Sequence, residues 1–163
     1  MQNLSAKYGK TLNLDKLTSY CPGCGHGIVT RLVAEAIETL GIRERAIAIV
    51  GIGCGGFSHH YMDVDAIEAT HGRSPSFAVG YKLCRPDNIV FTYCGDGDSC
   101  AIGLGDLMHA ANKGMPITSI MVNNSVFGMT GGQMSPTTLD GQVTATTLKG
   151  RDAVTIHRDV QMM

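Results

Sequence analysis

The chain has 163 residues, 44% of them apolar, and a formal net charge of −1. That length fits one domain, and the near-neutral charge excludes a general attraction to nucleic acid or anionic membrane. No apolar run approaches the roughly 20 residues of a membrane span; the polar start, Met1 to Lys10, lacks the apolar core of a signal peptide, so a cytoplasmic location is expected.

Residues 1–19 read as an extended N-terminal segment. Cys21 to Gly27 is a Gly/Cys/Pro turn, and a helix should follow. Ile28, Val29, Leu32, Val33, Ala36, Ile37 and Leu40 form an apolar stripe at helical spacing, with Gly41 as a C-terminal stop. Residues 46–50 read as a short buried strand that runs into the loop Gly51-Ile52-Gly53-Cys54-Gly55-Gly56. A short helix is expected over residues 63–70 and another over 76–83, ended by Pro86-Asp87. A strand over 89–93, a helix over 99–113 and a strand over 117–122 follow. From Asn123 to Pro136 the composition is that of a binding loop. In the polar tail, only residues 153–156 hint at a strand.

Strands alternating with helices argue for an open, mainly parallel α/β sheet with helices on both faces. Ligands of such sheets bind beyond the carboxyl ends of the strands. Cys54, Asp96 and Asn124 each follow a predicted strand, so the three converge on one sheet edge. Gly95-Asp96-Gly97 alone reads first as a turn. Paired with Asn124 across a strand–helix–strand unit, it offers two oxygen ligands to a hard cation such as Mg²⁺, which takes its remaining ligands from phosphate and water. A helix beginning just after Asp98 can aim N–H groups at the same phosphate. Gly128 to Ser135 (GMTGGQMS) is a candidate glycine nest for an anion, and His71, beside Gly72, a candidate for facing phosphate. His26, His59 and His60 fall in or near the same loops.

The six cysteines divide by context. Without secretory features a disulfide framework is not expected. Cys84, Cys94 and Cys100 read as small buried hydrophobes. Cys21-Pro22-Gly23-Cys24 is a C-x-x-C pair, open to redox, zinc or iron–sulfur readings, and Cys54 is a third candidate thiolate.

Together these pieces resemble the β subunit of 2-oxoacid:ferredoxin oxidoreductases, of the 2-oxoglutarate or branched-chain type. The matching runs are YCPGCGHG (20–27), GIGC (51–54), ATHGR (69–73), GDGD (95–98) and VNNSVFGMTGGQMSPTT (122–138), in family order. The resemblance implies a thiamine-diphosphate-binding domain over residues 20–150, a poorly matched tail at 151–163, and a chain incomplete at its C-terminus. It implies Asp96 and Asn124 as Mg²⁺ side-chain ligands and Val126 as a carbonyl ligand. Ile52, Gly53, Cys54, Gly55, His71, Gly97, Asp98, Gly128 and Met129 are implied as cofactor contacts. Cys21, Cys24 and Cys54 are implied as three ligands of a [4Fe–4S] cluster whose fourth lies downstream of this chain. The implied reaction is coenzyme-A-dependent oxidative decarboxylation of a 2-oxoacid, with electrons passed to ferredoxin. No catalytic side chain is expected from this chain, because an α subunit of the same complex, which γ and δ subunits can accompany, supplies the activating carboxylate. Two other functions share some of these residues: a non-redox thiamine-diphosphate decarboxylase or synthase component, and a metal-binding redox module without catalysis.

Overall fold

The structure, a computed structural model, describes residues 10–152. Its centre is a four-stranded, wholly parallel sheet in the order β2-β1-β3-β4. The strands are β1 (Ala46–Val50), β2 (Asp65–Glu68), β3 (Ile89–Gly95) and β4 (Thr118–Val122). Three α-helices connect or cover them: α1 (His26–Leu40), α2 (Ser74–Cys84) and α3 (Leu104–Asn112). A two-stranded hairpin, β5 (Val126–Phe127) with β6 (Gln133–Met134), follows.

Side chains alternate across a strand, and the apolar runs of β1 and β3 use both faces. Ala46, Ala48, Val50, Phe91 and Tyr93 form one core with Ala34 and Ile37 of α1. Ile47, Ile49 and Val90 point the other way and pack with Ala78 of α2. Helices on both faces are therefore borne out, as are the strands expected at 46–50, 89–93 and 117–122.

Three expectations are corrected. Residues 63–70 are not a helix: Asp65–Glu68 pairs in parallel with β1 as an edge strand, its side chains mostly exposed. The helix expected over 99–113 is divided into a π-helical turn, Asp98–Ile102, and α3, with Gly103 between them. The apolar stripe of α1 is only partly core. Ile28, Leu32 and Leu40 are exposed, whereas Thr30, Ala34 and Ile37 face the sheet, where Ala34 and Ile37 pack with Phe91 and Tyr93 and Thr30 hydrogen-bonds the Tyr93 hydroxyl. Gly41 does end α1, and its N–H bonds the carbonyl of Glu38. Cys94 is buried as expected; Cys84 is exposed and Cys100 half-buried. The strand suggested at 153–156 lies outside the described residues.

The N-terminal segment is tied to α1 through Glu38, which accepts the N–H groups of Lys10 (3.0 Å) and Thr11 (2.8 Å) and the Thr11 hydroxyl. The Thr11 hydroxyl foremost, and the backbone donors with it, hold the Glu38 carboxyl below its ordinary pKa. A depressed carboxylate stabilises the fold above its unfolded pKa of about 4.3 and ceases to do so as pH falls through the lower folded value. Glu38→Gln should therefore lower the melting temperature at pH 6. The difference from wild type should shrink as pH falls below about 4.3, which thermal scans across that range would register.

Candidate functional site

In the order β2-β1-β3-β4 the chain leaves β1 toward β2 on one side and reaches β3 on the other, so the loops after β1 and β3 diverge. Such a switch point opens a crevice at the carboxyl ends of the strands. A cavity of about 130 Å³ lies there, lined by Ile52, Gly53 and Cys54 after β1, Gly95 to Asp98 after β3, and Asn124 and Val126 to Thr130 after β4, with His26 and His71. Parallel pairing of Gly95 with Val122 brings Asp96 and, two residues after its strand, Asn124 out at the same sheet edge. A larger, more open groove of about 510 Å³, between Lys10–Lys16 and His59–Asp63, holds none of the predicted cofactor residues.

The structure thus brings Ile52, Gly53, Cys54, His71, Asp96, Gly97, Asp98, Asn124, Val126, Gly128 and Met129 to one cavity. Gly55 is not among the lining residues; it packs against the β3 backbone, where an added Cβ would stand 3.2 Å from the Cys94 Cα. Cys21 and Cys24 also lie outside the lining.

Asp96 is 2% exposed. Its Oδ1 accepts the Gly97 N–H at 2.9 Å, and its Oδ2 accepts the hydroxyls of Ser135, at 2.7 Å, and Thr137. Asn124 Oδ1 is buried and has no hydrogen-bond partner. An unpaired buried carbonyl costs about 1–3 kcal/mol, so this atom points to an absent ligand that needs an oxygen donor. Backbone strain sits beside it: Ser125 has φ 63°, a left-handed conformation uncommon outside glycine.

Asp98, 3% exposed, forms the second acidic wall. Its Oδ1 accepts the Gly72 N–H at 2.8 Å and meets His71 Nδ1, while its buried Oδ2 has no hydrogen-bond partner. Gly97 is required by close approach, since an added Cβ would lie 2.1 Å from Cε1 of Phe127, whose ring seats on the main chain there. Two buried carboxylates and an unpaired amide oxygen line the cavity with oxygen donors of the type a hard cation takes. The glycine backbone and the imidazole of His71 suit the phosphate groups that such a cation would carry.

Beneath the cavity, His26 is 2% exposed, stacks on Tyr20 with ring centroids 5.2 Å apart, and lies 3.4 Å by Nδ1 from the Tyr93 hydroxyl. Burial lowers its pKa, opposed in part by the Asp96 charge. Burial likewise pushes the Tyr93 hydroxyl up to about 12.

The cysteines sit beside this wall. Burial first, then the charges of Cys24 and Cys21, raises the Cys54 thiol, so the three thiols lie within electrostatic reach of one another. Among the described residues no three His, Cys, Asp or Glu side chains are placed to hold a metal ion as they stand. Cys94, its thiol pushed up to about 12 by burial, is a core residue.

The sequence matches the thiamine pyrophosphate enzyme family, C-terminal TPP binding domain, over residues 43–161. The chain belongs to this family. The chain, with its thiamine pyrophosphate (TPP) domain, is 48% identical over 135 residues to the ketoisovalerate oxidoreductase subunit VorA of Methanothermobacter thermautotrophicus, covering 83% of this chain and 28% of that protein. It is 38% identical over 148 residues to the 2-oxoglutarate synthase subunit KorB of Archaeoglobus fulgidus, covering 90% of this chain and 55% of that one. Among solved structures, a 2-oxoglutarate:ferredoxin oxidoreductase from Magnetococcus marinus, with 2-oxoglutarate, coenzyme A and succinyl-CoA bound, superimposes with a TM-score of 0.82 at 35% identity, over 92% of this chain and 51% of that chain. The chain thus spans about half the length of the KorB relative and of that structure, and less of VorA. The resemblance drawn from the motifs is borne out.

Sequence reasoning did not single out Ser135 and Thr137 as partners of Asp96. The run Ser135-Pro136-Thr137-Thr138 marks hydroxyl-rich backbone, but nothing in a spacing of 39 to 41 residues ties it to a particular carboxylate. His26 was visible only as one of several loop histidines.

Proposed function

We propose that this chain is the TPP-binding part of a 2-oxoacid:ferredoxin oxidoreductase subunit, acting on 2-oxoglutarate or a branched-chain 2-oxoacid with coenzyme A and ferredoxin. The observation that carries it is the unpartnered, buried Oδ1 of Asn124 in the cavity that Asp96 also lines. Asp96 and Asn124 would hold Mg²⁺, with the Val126 carbonyl as a further ligand. Asp98, through His71 and the Gly72 N–H, would fix the loop facing the diphosphate. Gly97, Gly128 and Met129 would contact the cofactor directly, as would Ile52, Gly53 and Cys54. Bound there, TPP supplies the chemistry that cleaves the bond beside the ketone of a 2-oxoacid. This chain's residues bind it, orient it and wall it from water, and a partner α subunit supplies the carboxylate that activates it.

Cys21, Cys24 and Cys54 are assigned to a [4Fe–4S] cluster. The Cys54 thiol, raised first by burial and then by the charges of Cys24 and Cys21, lies within electrostatic reach of both, and three such thiols suit an iron–sulfur cluster that takes thiolates. Iron and acid-labile sulfide in anaerobically purified complex test this assignment. Both should be present in wild type and fall sharply in Cys54→Ser. Iron-free complex that still decarboxylates a 2-oxoacid would instead make this a non-redox TPP enzyme. Turnover of the complex against a panel of 2-oxoacids would fix the substrate.

A further inference from the structure

We infer that Ser135 and Thr137 are positioning residues for the metal: by filling Oδ2 of Asp96 they leave Oδ1 to bind Mg²⁺ through a single oxygen. The inference rests on the proposed Mg²⁺–TPP site and adds to it the residues that aim the carboxylate.

A carboxylate offers about four lone-pair sites, two on each oxygen. Oδ2 of Asp96 receives two hydroxyl donors, from Ser135 (2.7 Å) and Thr137, and is full. Oδ1 receives one donor, the Gly97 N–H at 2.9 Å, and keeps one site open. Asn124 Oδ1, in the same cavity, is open as well. Mg²⁺ demands near-octahedral geometry, which two single-oxygen ligands satisfy more readily than a chelating carboxylate with its narrow bite.

The same turn joins the two ligand-bearing loops. Thr138 accepts the Ser135 N–H at 2.9 Å and donates to the Ser125 carbonyl at 2.6 Å, next to Asn124. Arg151 donates to the carbonyls of Pro136 (3.1 Å) and Thr138 from the far side. Ser135 is 1% and Thr138 2% exposed, so the loop after β4 is stitched to the loop after β3 through buried hydroxyls. Groups that orient a metal ligand typically contribute about 10–100-fold in metal affinity.

The test is titration of Mn²⁺ into the full chain with saturating TPP, read by the loss of the free-ion electron paramagnetic resonance signal. Ser135→Ala with Thr137→Val should weaken Mn²⁺ about 10–100-fold, and Thr137→Val alone should weaken it by a smaller factor. Thr137→Ser, which keeps the hydroxyl, should stay close to wild type; a role in packing alone would give the reverse order, with Val, the shape of Thr, near wild type and Ser, one methyl short, weakened, and that order overturns the inference. If the double variant does not fold, the Thr137 pair decides. Wild-type affinity in both Thr137 variants overturns the inference, and so does equal weakening in both. Wild-type chain that binds no Mn²⁺ with TPP overturns the underlying site and this inference together.

Discussion

Asp96→Asn should abolish Mg²⁺-dependent TPP binding while leaving the fold intact. The amide is the shape of the carboxylate, and its oxygen can still accept hydroxyls from Ser135 and Thr137. What is lost is the negative charge, at a position 2% exposed where water screens little of it. The loss in metal affinity should exceed the roughly 10–100-fold attached to a supporting group. Stability of the unliganded chain should change by no more than about 1–3 kcal/mol, because relief of the buried carboxylate's desolvation penalty opposes the loss of the Gly97 N–H acceptor, which the amide NH2 then faces. Thermal unfolding without metal and TPP binding with metal therefore move independently. A variant that binds TPP and Mg²⁺ like wild type would remove Asp96 from the site.

Gly72→Ala should strongly destabilise the fold. Gly72 has φ +77°, and an added Cβ would stand 2.6 Å from Cγ2 of Ile102 and 2.7 Å from the Gly103 nitrogen. The left-handed conformation costs an L-residue about 1–2 kcal/mol, and forcing a methyl against backbone costs about 1–3 kcal/mol more. At about 2–4 °C per kcal/mol for a chain of this size, the melting temperature should drop by roughly 4–20 °C. The Gly72 N–H also holds Asp98, so TPP affinity should weaken in whatever fraction stays folded. Gly105→Ala is the matched control. Gly105 lies in α3 with open space around its Cα, and alanine there should be neutral or stabilising by up to about 1 kcal/mol. Equal melting temperatures for the two variants would contradict the packing of Gly72 on the π-helical turn.

The parts of the fold that were legible in the sequence are those where local pattern and environment agree. Ala46–Val50 and Ile89–Gly95 are continuous apolar runs because both faces of a central parallel strand are covered. Asp65–Glu68 was misread because an edge strand is held by backbone pairing to β1 with its side chains exposed, which leaves no apolar signature. The helix after Asp98 was read as continuous because the break depends on a distant residue. Gly103 packs onto the Gly72 carbonyl, where an added Cβ would stand 2.7 Å away. On α1, large apolar residues at helical spacing outweighed Thr30 and Ala34, the residues that fit against Tyr93 and Phe91.

At the site, Asp96, directly after β3, and Asn124, two residues after β4, were legible because parallel pairing carries both loops to one edge. Their support was not. Ser135, Thr137 and Thr138 reach back across the sheet edge through hydroxyls whose bonding depends on how the loop after β4 folds. His26 acquires its place only through the tertiary stack with Tyr20 and its contact with Tyr93.

The most direct test of the Asp96–Asn124 site is calorimetric titration of TPP into the full chain with Mg²⁺ and again with the metal removed by a chelator. Saturable binding with Mg²⁺ that vanishes in chelator is the predicted result. Absence of binding in both, or equal affinity in both, would contradict a cavity in which Asp96 and Asn124 hold the cofactor through a cation.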